Sequence, residues 1–250
     1  MGERLPWWIG LCLFATLAWV LTIAEAHDMG VGPGTMGLSL GAFLVVWVVM
    51  MTAMMFPSVA PMVIAWIRTV GVRPTRSQRL GGTVQFLGGY LVAWTGFGIV
   101  VFLVLLEAQR LIDAVPGAAR WVGGAVFLAA GIYQLTPLKG ACLRHCRSPI
   151  GSLYHYASYG GPLRDLRVGV HHGLYCVGCC WGIMIVLVAV GTMNVPVMIA
   201  MAGVILIEKV WRHGASFSVA VGILLLVAAA LAPFSPWLLP GLSQPAMPTM

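Results

Sequence analysis

The chain has 250 residues, of which 60% are hydrophobic and only 8% are charged, and its formal net charge is +7. Because a soluble domain carries about 25% charged residues, this composition excludes a soluble enzyme, a disordered chain and a nucleic-acid-binding domain. It predicts an all-α polytopic membrane protein, in which residues 1–250 form a single transmembrane helical domain that ends in an irregular C-terminal tail, 233–250.

Seven apolar segments predict membrane-crossing helices, since a spanning helix needs about 20 mostly apolar residues. In chain order they cover 6–24, 38–66, 83–106, 120–138, 168–191, 195–208 and 215–233. Pro57 and Pro61 fall inside the second segment. A proline removes a backbone donor and clashes with the preceding turn, so a kink or an early helix end is expected there.

The first segment has an alternative interpretation. Arg4, the apolar run and the stretch 24–26 together resemble a signal peptide with a small-residue cleavage site after Ala26. The apolar run is long for a signal peptide, which favours a membrane helix, and cleavage stays an open alternative.

Basic residues are concentrated in alternate loops. Four arginines without an acid occupy 68–81, and five basic residues against one acid occupy 139–167, whereas 25–37 carries two acids and 107–120 is neutral. Loops rich in Lys and Arg face the cytoplasm. This pattern predicts a cytoplasmic N-terminus and an outside C-terminus in the bacterial inner membrane, with the lipid bilayer as the surrounding partner and no nucleic-acid partner.

Five of the six cysteines lie within 39 residues and form two groups: Cys142 and Cys146 in a predicted loop, and Cys176, Cys179 and Cys180 in the fifth segment. A helix turns about 100° per residue, so His172, Cys176 and Cys179 share one stripe, with Cys180 beside it. Glycines along this helix are expected to let a neighbouring helix approach closely.

Thiolates and imidazoles in this arrangement suit Cu(I), Zn(II) or an iron–sulfur centre. Cysteine also packs as a small apolar residue, but two groups with adjoining histidines favour a metal site. Methionines crowd the second segment, where Met51 and Met55 share a face. Thioethers bind Cu(I), while the alternative is simple packing. Copper is therefore the predicted ion, with zinc or iron as alternatives, and the predicted ligands are Cys142, Cys146, His172, Cys176, Cys179, Cys180, Met51 and Met55.

A single site requires the start of the 139–167 loop to fold back into the bundle, with Pro137 breaking the preceding helix. We then expect a sulfur of Cys142 or Cys146 within about 4 Å of a sulfur or imidazole nitrogen of the fifth segment, close to the spacing of two ligands on one metal. A short interfacial helix is expected around 150–158, and the loop as a whole is expected to order on metal binding. Glu208, beside Lys209 and Arg212, predicts an interfacial salt bridge.

Several blocks of sequence together resemble a bacterial family of predicted metal-binding integral membrane proteins whose domain has no assigned function. The blocks include the methionine-rich stretch at 50–62, CLRHC within 133–149 and CVGCC within 173–181, followed by 191–194 and 208–209. The resemblance covers roughly 40–215, and it implies a metal-binding membrane protein without established catalytic residues.

Three functions are compatible with these features. The first is the binding of a soft metal for handling or delivery, and the second is an accessory or assembly subunit of a larger membrane complex. The third is a membrane thiol oxidoreductase, although the spacing of Cys142 and Cys146 differs from the Cys-x-x-Cys of thioredoxin-like sites. Nothing in the sequence identifies a catalytic group, so whether the protein is an enzyme stays open, with the balance against it.

Overall fold

A computed structural model describes residues 5–29, 35, 37–70, 73, 75–115 and 117–243. This part of the chain is all-α, with helices and short 3-10 turns and without a strand. The helices are α1 (Leu5–Met29), α2 (Leu40–Val70), α3 (Arg76–Ala114), α4 (Ala118–Gln134), α5 (Pro137–Arg147), α6 (Pro149–Tyr156), α7 (Arg164–Met184), α8 (Val186–Val190), α9 (Val195–Val210), α10 (Gly214–Leu231) and α11 (Pro240–Ser243).

Five helical segments of the described chain are long and apolar enough to cross a membrane: Ile9–His27, Leu40–Thr69, Arg76–Ala114, Arg164–Val190 and Gly214–Phe234. A sixth is added if α4 and α5, which are bent by 64° at their junction, form one broken span. The predicted count of seven is not reached on this measure, because α4 has 17 residues and α9 has 16.

Helix α2 is continuous through Pro57 and Pro61, so the expected early end does not occur. Most residues around the two prolines are buried. Ending the helix here would leave several backbone groups unpaired in an apolar interior, which costs more than the hydrogen bonds that the prolines remove.

The described part of the predicted C-terminal tail consists of short helical turns. Two 3-10 turns, Ala232–Phe234 and Pro236–Leu238, lead into α11, and Leu239 and Leu242 are buried. The two leucines belong to a buried apolar core, so this part of the tail packs against the helices; residues 244–250 lie outside the described part.

Helices α3 and α7 pack at very close range, as the glycines predict. A Cβ added at Gly173 would lie 2.7 Å from the Cβ of Ala93, and one at Gly169 would collide with the backbone carbonyl of Phe86. Small residues that let two backbones meet are typical of helix packing in membranes. The contact fixes α7, which carries three of the cysteines, against α3.

The buried side chains form two cores. The larger, called here the thiol core, joins α1–α3 and α5–α9 and contains Cys176, Cys179 and Cys180. The second core lies between α4, α8, α10 and the C-terminal turns, and it consists of Phe127, Ala130, Val186, Ala189, Leu225, Ala232, Leu239 and Leu242.

Candidate metal centre

The segment with the first two cysteines is a helix rather than a loop. Helix α5 starts at Pro137 after Thr136, whose hydroxyl accepts a hydrogen bond from the backbone N–H of Lys139 at 3.3 Å. Pro137 occupies the first helical position, where its missing N–H is not needed. The predicted break at Pro137 is confirmed, and the break turns α5 back over α7.

The rest of the predicted loop is also largely helical. Helix α6 spans Pro149–Tyr156, close to the interfacial helix expected around 150–158. The 139–167 connection is thus not a structureless segment of 29 residues. Ser148 caps α6 through a hydrogen bond from the N–H of Gly151, and the buried Tyr156 anchors the end of this helix in the thiol core.

A buried ion pair holds the N-terminal end of α5. Lys139 Nζ lies 2.7 Å from Glu208 Oε2, and both side chains are 1% exposed. Gln134 donates from Nε2 to Glu208 Oε1 at 2.6 Å and accepts a hydrogen bond from Lys139. The expected salt bridge of Glu208 with Lys209 and Arg212 is wrong, because Glu208 pairs with Lys139 instead. Lys209 is about 100° further around α9, and Arg212 lies beyond the end of this helix at Val210.

Arg147 holds the C-terminal end of α5. Its guanidinium donates to the backbone carbonyls of Glu208 at 3.0 Å, Trp211 at 2.8 Å and Arg212 at 3.0 Å. These carbonyls belong to the end of α9, where the last turn of a helix has no internal donors. Lys139 and Arg147 together fix α5 at both ends, with its cysteines between them.

Four sulfur atoms form a contiguous cluster, called here the thiol cluster: Cys146, Cys176, Cys179 and Cys180. Cys146 Sγ lies 3.7 Å from Cys179 Sγ, which lies 3.6 Å from Cys180 Sγ, and Cys180 Sγ is 3.9 Å from Cys176 Sγ. The ligand atoms of the three α7 cysteines are all within 4.8 Å of one another. The predicted approach of a loop sulfur to within about 4 Å of the fifth segment is met by Cys146.

Cys142 lies beside the cluster. A Cβ added at Gly178 would be 2.8 Å from Cys142 Sγ, so this glycine makes room for the sulfur on the surface of α7. Cys142 is half-buried, whereas Cys176, Cys179 and Cys180 are at most 1% exposed. Of the two α5 cysteines, Cys146 joins the cluster and Cys142 flanks it.

A buried lysine contacts the cluster, which the sequence analysis did not anticipate. Lys209 Nζ lies 3.0 Å from Cys176 Sγ and 3.1 Å from Ser58 Oγ. Tyr90 Oη lies 3.0 Å from the same sulfur. A charged residue in the apolar α9 was the available signal, since ionisable residues inside membrane helices usually have a functional partner. The ammonium group is placed to neutralise a thiolate at Cys176.

His172 lies one turn before Cys176 and is 2% exposed. Its Nδ1 is buried without a hydrogen-bond partner among the described residues. Its ring centroid is 5.9 Å from that of His145. A buried polar atom without a partner is costly, and a metal ion is one ligand that would satisfy this nitrogen.

The predicted thioether ligands lie in the same core as the thiols. Met51 and Met55 are fully buried on α2. Ser58, at a spacing of three and seven residues from them, faces the same side of the helix and contacts Lys209. The methionine face of α2 is therefore turned toward α9 and the neighbourhood of Cys176.

Imidazole and phenol rings lie beside the α5 end of the cluster. Tyr156 Oη lies 2.8 Å from His145 Nε2 and 3.3 Å from His171 Nδ1. The ring of His145 also stacks on Tyr175, with centroids 3.9 Å apart. Burial raises the pKa of the Tyr156 phenol, so the group is protonated at neutral pH and donates to an imidazole.

The donor set matches a soft metal ion. Two sulfurs bound to one ion at about 2.3 Å with a tetrahedral angle are about 3.8 Å apart, close to the 3.6–3.9 Å separations in the cluster. All six cysteines are free thiols. Fold and site together define an all-α protein of apolar helices that surround a buried cysteine cluster able to hold a metal.

Comparison with known proteins gives a matching conclusion. A protein family described as "Copper chaperone" (PpoB2) matches residues 44–232. The chain therefore belongs to the PpoB2 copper chaperone family. No curated protein and no solved structure matched it.

Proposed function

We propose that this protein is a membrane-embedded copper chaperone that binds Cu(I) as cargo in the thiol cluster. The observation that carries the proposal is the chain of four sulfurs at 3.6–3.9 Å separations, in which Cys176, Cys179 and Cys180 are buried and Cys146 is half-buried. Membership in a copper chaperone family supports the choice of ion.

The charges of the site suit Cu(I) held by two thiolates. Thiolates select soft ions such as Cu(I), and one Cu(I) with two thiolates carries a net charge of −1. The ammonium of Lys209, 3.0 Å from Cys176 Sγ, brings the total to zero. A neutral complex is the least costly one in a water-poor core. Zinc and iron are the alternative ions.

The proposed setting is the bacterial inner membrane. Large apolar side chains point outward from several helices, including Leu13, Phe14, Val45 and Leu224, each at least 64% exposed. We propose that α4 and α9 also cross, which gives seven crossings and a cytoplasmic N-terminus. At 1.5 Å per residue these helices are about 24–26 Å long, slightly short of the roughly 30 Å hydrocarbon core.

The remaining predicted ligands have supporting roles in this proposal. Cys142 is half-buried beside Gly178 and next to the cluster. In this proposal copper leaves the cluster through Cys142 to reach a partner protein. His172 offers an unpaired buried nitrogen. Met51 and Met55 offer thioethers that bind Cu(I) without first losing a proton.

A competition titration tests the proposal. Purified full-length protein is titrated with Cu(I) against a chromogenic Cu(I) chelator, together with a Cys176→Ser, Cys179→Ser variant. We expect stoichiometric tight binding by the wild type and its loss in the variant. Cys12→Ser is the matched control, because Cys12 is exposed on α1, and it should bind like the wild type. Equal, negligible binding by all three proteins would refute the proposal.

A further inference from the structure

Three histidines gather beside the thiol cluster on three different helices. His145 is on α5, His155 on α6 and His171 on α7. Their ring centroids are 6.2 Å apart for His145 and His155, 6.1 Å for His145 and His171, and 5.2 Å for His155 and His171. At these separations the three imidazoles are close enough together to be considered as ligands of one metal ion.

The spacing is close to that of three imidazoles around one ion. A nitrogen bound to a metal at about 2.0 Å places its ring centroid about 3.2 Å from the ion. Two such centroids are then about 5.2 Å apart at a tetrahedral angle and about 6.4 Å apart when the nitrogens are opposite. Three centroids spaced evenly in a plane around one ion are about 5.5 Å apart. The observed separations of 5.2–6.2 Å are slightly wider on average, so the rings must close a little to share one ion. The nitrogens do not yet converge on one point, so the ring of His155, the exposed member, must turn to close on an ion.

Hydrogen bonds orient two of the rings and leave donor atoms available. Tyr156 Oη contacts His145 Nε2 and His171 Nδ1, and stacking on Tyr175 fixes His145 further. Within the described chain, no hydrogen bond to the protein is made by His145 Nδ1 or His171 Nε2. The same holds for both ring nitrogens of His155. A partner on one nitrogen that frees the other for metal is the usual support of a metal-binding histidine.

Burial increases step by step from these histidines to the thiols. His155 is exposed, His145 and His171 are half-buried, and His172 is buried one turn before Cys176. His145 is the direct neighbour of Cys146, whose sulfur lies 3.7 Å from Cys179 Sγ. The imidazoles thus lie between the exposed end of α6 and the sulfurs.

The surrounding charge favours a monovalent ion. The connecting region carries several arginines, and the guanidinium of Arg167 lies 5.4 Å from the ring centroid of Tyr159. Its one acid, Asp165, is paired with Arg73 at 2.8 Å. With neutral imidazoles as ligands and positive charge nearby, a divalent ion is repelled more strongly than Cu(I).

We propose that His145, His155 and His171 form a receiving site that binds Cu(I) first and passes it through Cys146 to the thiol cluster. This inference rests on the proposed function, and it assigns to the three histidines a role in the rate of copper uptake. Transfer exchanges nitrogen ligands for sulfur ligands on the same ion, with no change in its oxidation state.

Uptake kinetics test the receiving site. Full-length protein is mixed with a limiting amount of Cu(I) bound to a chromogenic chelator, and loss of the chelator colour is followed in time. In His155→Gln, and in the triple glutamine variant of the three histidines, we expect uptake slowed by about tenfold, the scale of removing support around a metal ligand. The final amount bound should equal that of the wild type, because the thiols are intact. His213→Gln is the matched control, since this exposed histidine packs against Trp211 and not at the site.

The outcomes separate the two proposals. Wild-type rates in His155→Gln and the triple variant would overturn the receiving site and leave the copper chaperone function standing. An absence of uptake by the wild type would remove the function itself.

Copper absorption spectroscopy gives a second test. In the Cys176→Ser, Cys179→Ser variant it should show weakly held Cu(I) with nitrogen ligands, and adding His155→Gln should remove this signal. Persistence of the signal would also overturn the receiving site. His155 makes no side-chain hydrogen bond in the described structure, so its substitution leaves the fold intact.

Discussion

The two cores of the molecule differ in the kinds of side chain that they bury. The second core is built from eight buried apolar residues between α4, α8, α10 and the C-terminal turns. The thiol core carries buried Lys209 and His172 close to Cys176, and the buried Lys139–Glu208 pair holds α5 beside it. Burying charged groups is costly and rarely improves stability over apolar packing. The second core shows that this chain can pack without such groups, and the proposed metal binding gives Lys209 and His172 a role that packing does not.

The largest expected effect comes from breaking the buried ion pair. Glu208→Gln leaves Lys139 charged and without its carboxylate partner in the core, which costs about 3–5 kcal/mol. It also releases α5, so copper binding should weaken together with stability. Thermal unfolding in detergent and a copper titration measure the two effects. Glu107→Gln removes an exposed pair with Arg110 and should change neither; equal behaviour of the two variants would contradict the role of Glu208.

A substitution in the second core should separate stability from copper binding. Phe127 is 4% exposed, and Phe127→Ala leaves a cavity that costs about 3 kcal/mol. Because no cysteine or buried charge belongs to this core, the folded fraction should bind Cu(I) with wild-type affinity. A loss of affinity comparable to that of Glu208→Gln would show that the second core also supports copper binding.

Removing the ammonium should affect copper binding more than folding. In Lys209→Met the side chain keeps its approximate volume, and the counter-charge 3.0 Å from Cys176 Sγ is lost. A copper thiolate complex then carries an uncompensated charge in the core, so the affinity for Cu(I) should fall by about tenfold, or 1.4 kcal/mol. Competition titration gives the affinity. An unchanged value would show that Lys209 serves the fold alone.

The smallest effect is expected at the methionines. The double variant Met51→Leu, Met55→Leu conserves volume and should cost less than about 1.5 kcal/mol in stability for each substitution. Loss of two thioethers should lower the affinity for Cu(I) by less than tenfold. A loss as large as that of the cysteine variant would place these methionines among the principal ligands. Wild-type affinity would restrict them to packing.

Sequence patterns located the principal helices but not the partners of their polar residues. Long apolar runs predict α1, α2, α3, α7 and α10, and helical periodicity places Cys176 and Cys179 on one buried stripe. These features depend only on local sequence. The apolar run of α4 was visible too, although the helix ends at Gln134 rather than at 138.

The position of α5 needs more than local information. Its return over α7 depends on Lys139 meeting Glu208, two residues that are 69 positions apart. The direction of Lys209 into the cluster, and of Glu208 away from it, depends on which helices surround α9. The sequence predicts a salt bridge between Glu208 and nearby residues, because the order of charges along the chain contains no information about long-range contacts.

The most direct test of the account is the first coordination shell of copper in the full-length protein. Protein purified from its native organism is compared by copper K-edge absorption with the Cys176→Ser, Cys179→Ser variant and the Cys12→Ser control. The account predicts Cu(I) with sulfur as the dominant ligand in the wild type and in Cys12→Ser, and loss of the sulfur shell in the double variant. Copper bound without sulfur in the wild type, or an unchanged sulfur shell in the double variant, would contradict it.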